Sequence, residues 1–184
     1  MGTTSVLKIS VEEYLAADRV AELKSEFHDG EVFPPSAVSW KHSRVSVRLS
    51  SRLHALLEPG SCEVAISPIR VRVTPVQFVY PDIVVVCGGP AFTDEKVDTI
   101  TNPIVIVEVL SPSTSDYDSG GKFRLYRQLD SLKEYVLVEQ DRPRMEVFRK
   151  TPAGWMLTTY EGLDAVLQLD SVGVSIALSE VYPS

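Results

Sequence analysis

Two short segments, Ile83 to Cys87 and Ile104 to Leu110, are almost continuously apolar. A strand with one wet face alternates apolar and polar residues, so unbroken runs of this kind belong to strands covered on both faces, at the centre of a sheet. Each face of such a sheet needs a layer packed on it, and helices are the usual cover, which points to an α/β architecture. One residue interrupts the second run. Glu108 stands inside Ile104-Val105-Ile106-Val107-Glu108-Val109-Leu110, and an ionised carboxylate buried there is costly unless it is paired or holds a cation.

The flanking segments supply the cover. Ser10 with Glu13 three residues later forms a capping box that opens a helix through about Ala17, with Val11, Tyr14 and Leu15 on its inner face. Glu22 to His28 and Glu31 to Phe33 flank Asp29-Gly30, a pair suited to a tight type I′ turn, which predicts an N-terminal β-hairpin. From about Trp40 to Glu58, Val45, Leu49, Leu53, Leu56 and Leu57 keep helical spacing until Pro59-Gly60 ends the pattern. Ile69, Val71 and Val73 alternate with Arg70, Arg72 and Thr74, as in a strand with one buried and one solvated face. Tyr117 to Leu129 reads as a helix weakened at its start by Gly120-Gly121, with Phe123, Tyr126 and Leu129 inside. Strands are expected at about 134 to 139, 144 to 149 and 155 to 160, then a β-rich stretch and a short final helix or turn. Hairpin-spaced strands beside helix-connected ones make the sheet mixed, and no linker divides the chain, so residues 1–184 are read as one domain.

Composition narrows the functional classes. A net charge of -7 counts against a nucleic-acid binder unless basic residues are concentrated locally. Arg44, Arg48 and Arg52 repeat every four residues, and Arg70 and Arg72 alternate on a strand; each set is either a row of phosphate contacts or an ordinary solvated face. Cys62 and Cys87 show neither C-x-x-C spacing nor a disulfide framework and read as reduced core residues. No apolar stretch approaches the roughly 18 residues that span a bilayer, and the N-terminus lacks a basic-then-apolar leader, so the expected setting is the cytoplasm, without a membrane. Serine-hydrolase elbows, H-E-x-x-H, zinc-spaced cysteines and calcium loops are absent.

The chemistry concentrates on Asp82 and Glu108. Asp82 follows Pro81 at the start of the first apolar run, and adjacent strands could bring the two carboxylates to one point at a sheet end. Two hard oxygen ligands suit Mg²⁺ or Mn²⁺. The alternatives are a buried ion pair with an arginine for Glu108 and a turn cap for Asp82.

Pro81-Asp82, then Val107-Glu108-Val109-Leu110-Ser111-Pro112-Ser113-Thr114, then Asp118 and Lys122, with Glu26-Phe27-His28-Asp29-Gly30-Glu31 upstream and Glu134-Tyr135 downstream, resemble the bacterial restriction-endonuclease-like proteins of the PD-(D/E)XK nuclease superfamily. The resemblance covers roughly residues 10 to 150. It implies a restriction-endonuclease-like α/β fold: a central mixed β-sheet flanked by helices, an N-terminal hairpin and additional C-terminal strands. It further implies a Mg²⁺-dependent endonuclease, a DNA substrate and a homodimer. Asp82 and Glu108 would be metal ligands, the Val109 carbonyl a third, and Glu26 an accessory acid. The superfamily lysine expected two positions after Glu108 is replaced by Leu110, and Lys122 on the following helix matches the family's lysine. His42 and Asp118 would be accessory residues, Asp118 orienting Lys122, and Arg44, Arg48 and Arg52 would contact nucleic acid. His28 and His54 show no partner pattern. The alternative is a catalytically inactive nucleic-acid-binding or interaction protein on the same fold.

Overall fold

The computed structural model describes residues 8–35, 37–58, 60–111 and 117–182, the side chains of 117–119 excepted. Helix α1 (Val11–Val20) begins at the expected capping box: the Ser10 hydroxyl accepts from the Glu13 amide at 3.1 Å and the Glu13 carboxylate from the Ser10 amide at 2.8 Å. The hairpin of β1 (Glu26–His28) and β2 (Glu31–Phe33) follows. Its turn requires positive φ at both central residues, supplied by Asp29 at 49° and Gly30 at 94°. A Cβ on Gly30 would also come within 2.9 Å of Lys8. Helix α2 (Trp40–Leu57) starts at the Ser39 cap and buries His42, Val45, Leu49, Leu53 and Leu57 on one face.

The rest of the chain is mostly strand. In order come β3 (Cys62–Ile66), β4 (Arg70–Thr74), β5 (Gln77–Val79), β6 (Ile83–Cys87), β7 (Thr99–Ile100) and β8 (Val105–Leu110). A π-helical turn (Tyr117–Lys122) leads into α3 (Phe123–Tyr126). Then come β9 (Glu134–Glu139), β10 (Arg144–Thr151), β11 (Gly154–Glu161), β12 (Val166–Leu169), β13 (Val174–Ala177) and α4 (Leu178–Val181).

Two main sheets result. The larger runs β11-β10-β9-β8-β6-β3, the smaller β2-β1-β5-β4-β7, with β12-β13 a separate pair. The larger sheet is mixed, since β8 and β9 are parallel while its other neighbouring strands are antiparallel. One face packs under α2, β12, β13 and α4, through Val105, Val107 and Val109 against Leu49, Leu53, Leu167 and Leu178. The other packs Val84, Val86 and Ile106 against α3 and the smaller sheet, through Leu125, Tyr126, Val71 and Val79. Cover on both faces is why β6 and β8 carry no polar alternation. The chain crosses from the smaller to the larger sheet at Tyr80-Pro81-Asp82, between β5 and β6.

Three sequence expectations are corrected. Cys62 and Cys87 are not reduced: they face each other in the antiparallel β3–β6 register and form a disulfide. Strand register, which no cysteine spacing encodes, made that pair. Arg70 does not lie on a wet face but is 2% exposed, its Nη2 3.1 Å from Asp18 and its Nε donating to the Tyr80 hydroxyl at 2.8 Å. The helix expected from Tyr117 is a π-helical turn before only four α-helical residues, consistent with the weak hold of Gly120 and Gly121 on an α ladder. Among the described residues, no helix is long and apolar enough to cross a membrane.

Candidate active site

Alternation along β8 decides where Glu108 points. Val105, Val107 and Val109 enter the core under α2, whereas Ile106 and Glu108 face the layer containing α3. That layer provides the partners a buried carboxylate needs. Lys122 and Tyr126 are four residues apart on helical backbone and so share a side; Lys122 Nζ lies 3.0 Å, and Tyr126 Oη 2.7 Å, from Glu108 Oε1. Glu108 is 3% exposed. Burial first, and then the Glu108 charge, hold the Tyr126 phenol well above the usual tyrosine range, so it stays protonated and donates.

Asp82 arrives from the neighbouring strand. Ile83 pairs with Val107 and Val84 with Ile106 in the antiparallel β6–β8 ladder, so one further step sets Asp82 across from Glu108. Because β6 begins only at Ile83, the Val109 amide on that side of β8 meets Asp82 instead of a ladder partner and donates to its Oδ2 at 2.8 Å. His42, in the first turn of α2, brings Nε2 to 3.1 Å from the same oxygen. With an ionised Asp82 that contact places the imidazole proton on Nε2, leaving Nδ1 to face the Ser46 hydroxyl at 3.5 Å.

Glu26 comes from β1 in the smaller sheet. Its Oε1 lies 3.3 Å from Lys122 Nζ, so one ammonium bridges carboxylates from two sheets. Burial pushes the Glu26 carboxyl up, but His28 and the Lys122 charge outweigh it and hold the group below the ordinary range. The His28 imidazole stands 3.6 Å away, long for a hydrogen bond, and its ring meets Phe33 edge-on with centroids 5.2 Å apart.

Glu26, His28, His42, Asp82, Glu108, Val109 and Lys122 all line one cleft of about 830 Å³. The sequence-predicted residues Glu26, His42, Asp82, Glu108 and Lys122 are thus brought together. Leu110, two residues beyond Glu108, is partly buried against the apolar cluster of Leu125 and Tyr126. The Asp118 side chain, like the Ser113-Thr114 part of the motif, lies outside the described residues.

Arg44 and Arg48 are exposed on α2 and do not line the cleft. Arg52 is half-buried and engaged in an ion pair with Glu180, which withdraws it from the expected phosphate-contact row. Two contributors escaped the sequence reading. His28 had a visible signal in its position two residues from Glu26 on one strand face, and Tyr126, read as a core aromatic, had one in its spacing from Lys122.

This architecture matches a solved structure. A crystal structure described as a "putative nuclease belonging to DUF820" from Anabaena variabilis ATCC 29413 superposes with a TM-score of 0.75 over 94% of this chain and 97% of that one, at 17% identity, which establishes that the two share one α/β fold. Two proteins of Synechocystis sp. (strain ATCC 27184 / PCC 6803 / Kazusa) are closer in sequence. "Uncharacterized protein slr1290" is 37% identical over 178 residues, spanning 95% of this chain and 92% of that protein. "Uncharacterized protein sll1609" is 34% identical over 170 residues, spanning 91% and 95%. The chain belongs to the Uma2 family, described as "putative restriction endonuclease", whose model matches residues 11–179.

Proposed function

We propose that this protein is a metal-dependent endonuclease that hydrolyses phosphodiester bonds in nucleic acid, with DNA the first substrate to test. The observation that carries the reading is the buried contact of Lys122 with Glu108 on the wall of the cleft that Asp82 also lines. An acid inside a central strand, met by a cation from the following helix, is an expensive arrangement for stability alone, since an apolar pair of similar volume would serve the core as well.

The donor chemistry fits a hard divalent cation. Glu26, Asp82 and Glu108 set three carboxylates against the Lys122 ammonium, a formal surplus of two negative charges when all are ionised. The contacts of Asp82 with Val109 and His42 fall on Oδ2, and those of Glu108 with Lys122 and Tyr126 on Oε1. Asp82 and Glu108 would hold Mg²⁺ or Mn²⁺. The Val109 carbonyl would be a third ligand, because a strand residue's N–H and C=O leave on the same side and this N–H faces Asp82. Among the described residues, no group of three or more His, Cys, Asp or Glu side chains forms a metal site by itself.

A cation held there lowers the pKa of a bound water and offsets charge on phosphate oxygens. The chain's own groups do the rest. Val109 N–H and His42 orient Asp82, Tyr126 orients Glu108, and Glu26 helps aim Lys122. The Lys122 ammonium is then placed to stabilise negative charge developing on the phosphate.

A second reading, a nucleic-acid-binding protein without catalysis, draws on Leu110 in place of the superfamily lysine and on the occupation of Glu108 Oε1 by two donors. Supercoiled plasmid incubated with Mg²⁺ or Mn²⁺ tests both. Nicking or linearisation by the parent, lost in Asp82→Asn, supports the endonuclease; an inert parent that still binds DNA supports the second reading. Sedimentation of the same sample reads the dimeric assembly expected of the class.

A further inference from the structure

The polar floor of the cleft adjoins a wall of another character. Leu23, Phe33, Pro34, Pro35 and Val38 line the same cavity as Asp82 and Glu108, and none carries a charge. Leu23 is 71%, Phe33 43% and Val38 63% exposed. Large apolar side chains left in water beside a reactive site mark a surface that something covers. The wall is also tied to the floor, since the Phe33 ring packs on His28, His28 stands 3.6 Å from Glu26, and Glu26 meets Lys122 at 3.3 Å.

We propose that this wall is a base-binding subsite, so that the cleft takes nucleic acid whose bases are unpaired, with a base face on the Phe33 ring and the backbone over the carboxylates. The proposal rests on the nuclease reading and adds the form of the substrate. Charge selects the occupant: the floor sets Glu26, Asp82 and Glu108 around Lys122 and would take a phosphate through the cation those carboxylates would hold, while Leu23, Phe33, Pro34, Pro35 and Val38, flanked by Glu22 and Lys24, offer mainly apolar and aromatic contact, which suits a neutral base. In a duplex the base faces are covered by their neighbours, whereas an unpaired base presents one to an aromatic ring. A cavity of about 830 Å³ is of the size that encloses a small ligand, and so takes a nucleotide or two rather than a stretch of duplex.

The test is fluorescence anisotropy with Ca²⁺ in place of Mg²⁺, using a labelled single strand, its blunt duplex, and the same strand with one abasic position scanned along it. The parent is expected to bind the single strand about tenfold more tightly than the duplex, and one abasic position to weaken binding about tenfold. Phe33→Ala should weaken single-strand binding by a similar factor and become insensitive to the abasic position, while Phe33→Tyr should retain parental affinity. Because Phe33 is exposed, the variant should keep the parent's thermal midpoint, and Val38→Ala provides a second, independent reduction. Equal affinity for strand and duplex in the parent, or unchanged single-strand binding in Phe33→Ala, would overturn the inference while leaving the nuclease reading in place. So would a Phe33→Ala variant that binds normally but loses self-association, which would make the wall a subunit contact. A parent that binds neither nucleic acid would remove the nuclease reading itself, and this inference with it.

Discussion

Lys122 and Glu108 meet inside the protein at 3.0 Å across 14 residues of sequence, the ammonium supplied by the helical layer and the carboxylate by a central strand. An ammonium is not a metal ligand, so the pair separates two functions that substitutions can test individually.

Glu108→Gln keeps side-chain volume and removes the charge a hard cation requires. Mg²⁺ affinity measured by calorimetry is expected to fall at least about tenfold, a loss on the order of 1.4 kcal/mol. Parental affinity in the variant would remove Glu108 from the ligand set.

Lys122→Met should leave Mg²⁺ affinity nearly intact and lower plasmid cleavage by about 100-fold to 1,000-fold, the usual effect of deleting a preorganised electrostatic group. The same variant should raise the Glu26 pKa, since Lys122 is among the causes holding it down. Carbon NMR titration of Glu26 reads that shift independently of activity. Full cleavage by the variant would sink the lysine's role, and an unmoved Glu26 would deny the electrostatic contact.

The arginines of α2 should divide. Arg44→Gln with Arg48→Gln is expected to flatten the logarithmic salt dependence of DNA binding by about 2 if both contact phosphates. Arg52→Gln should leave that slope alone and act on stability, because Arg52 pairs with Glu180. An unchanged slope in the double variant would return Arg44 and Arg48 to an ordinary solvated face.

Arg70→Met should destabilise the fold by about 3–5 kcal/mol in urea unfolding, because it strands the buried Asp18 carboxylate. Adding Asp18→Asn should recover part of the loss. A loss below about 1 kcal/mol would show the pair to be solvated.

Asp98 gives stability a defined acid limit. Its hydrogen bond with Arg19 outweighs partial burial, and with help from Thr99 and Arg70 pushes the carboxyl down from 3.8 to about 2. The folded state therefore binds this proton more weakly than the unfolded chain does. The resulting stabilisation is complete above the unfolded pKa and is lost as pH falls through 3.8 towards 2. After discounting for solvent screening, it amounts to on the order of 1 kcal/mol. Urea unfolding at pH 5.5 and pH 3 should show a smaller acid-induced loss in Asp98→Asn than in the parent; equal losses would contradict the assignment.

The elements that could be read directly from sequence were those whose signal is local. The capping box at Ser10, the Asp29-Gly30 turn and the apolar stripe of α2 depend on residues a few positions apart. That Asp82 and Glu108 would line one cleft was also legible, because each sits at or in an apolar run and such runs pair at the centre of a sheet. What escaped depends on register or on cover from afar. Cys62 meets Cys87 only because of how β3 aligns with β6. Arg70, placed by alternation on a solvated face, is instead enclosed by Asp18 from α1 and by Tyr80. Strands β5 and β7, with three residues and two, fall below the length at which periodicity carries information.

The grip of Val109 on Asp82 is made by a peptide amide, and that changes what sequence drift can do to it. Almost any side chain at position 109 leaves the N–H where it is, so variation there would not report on the fastening at all. Proline alone removes the donor outright. Val109→Pro would unfasten Asp82 while leaving every acidic and basic side chain of the cleft in the sequence. The orientation of that carboxylate is thus inherited through the path of the main chain, out of reach of any comparison that counts only which side chains are retained.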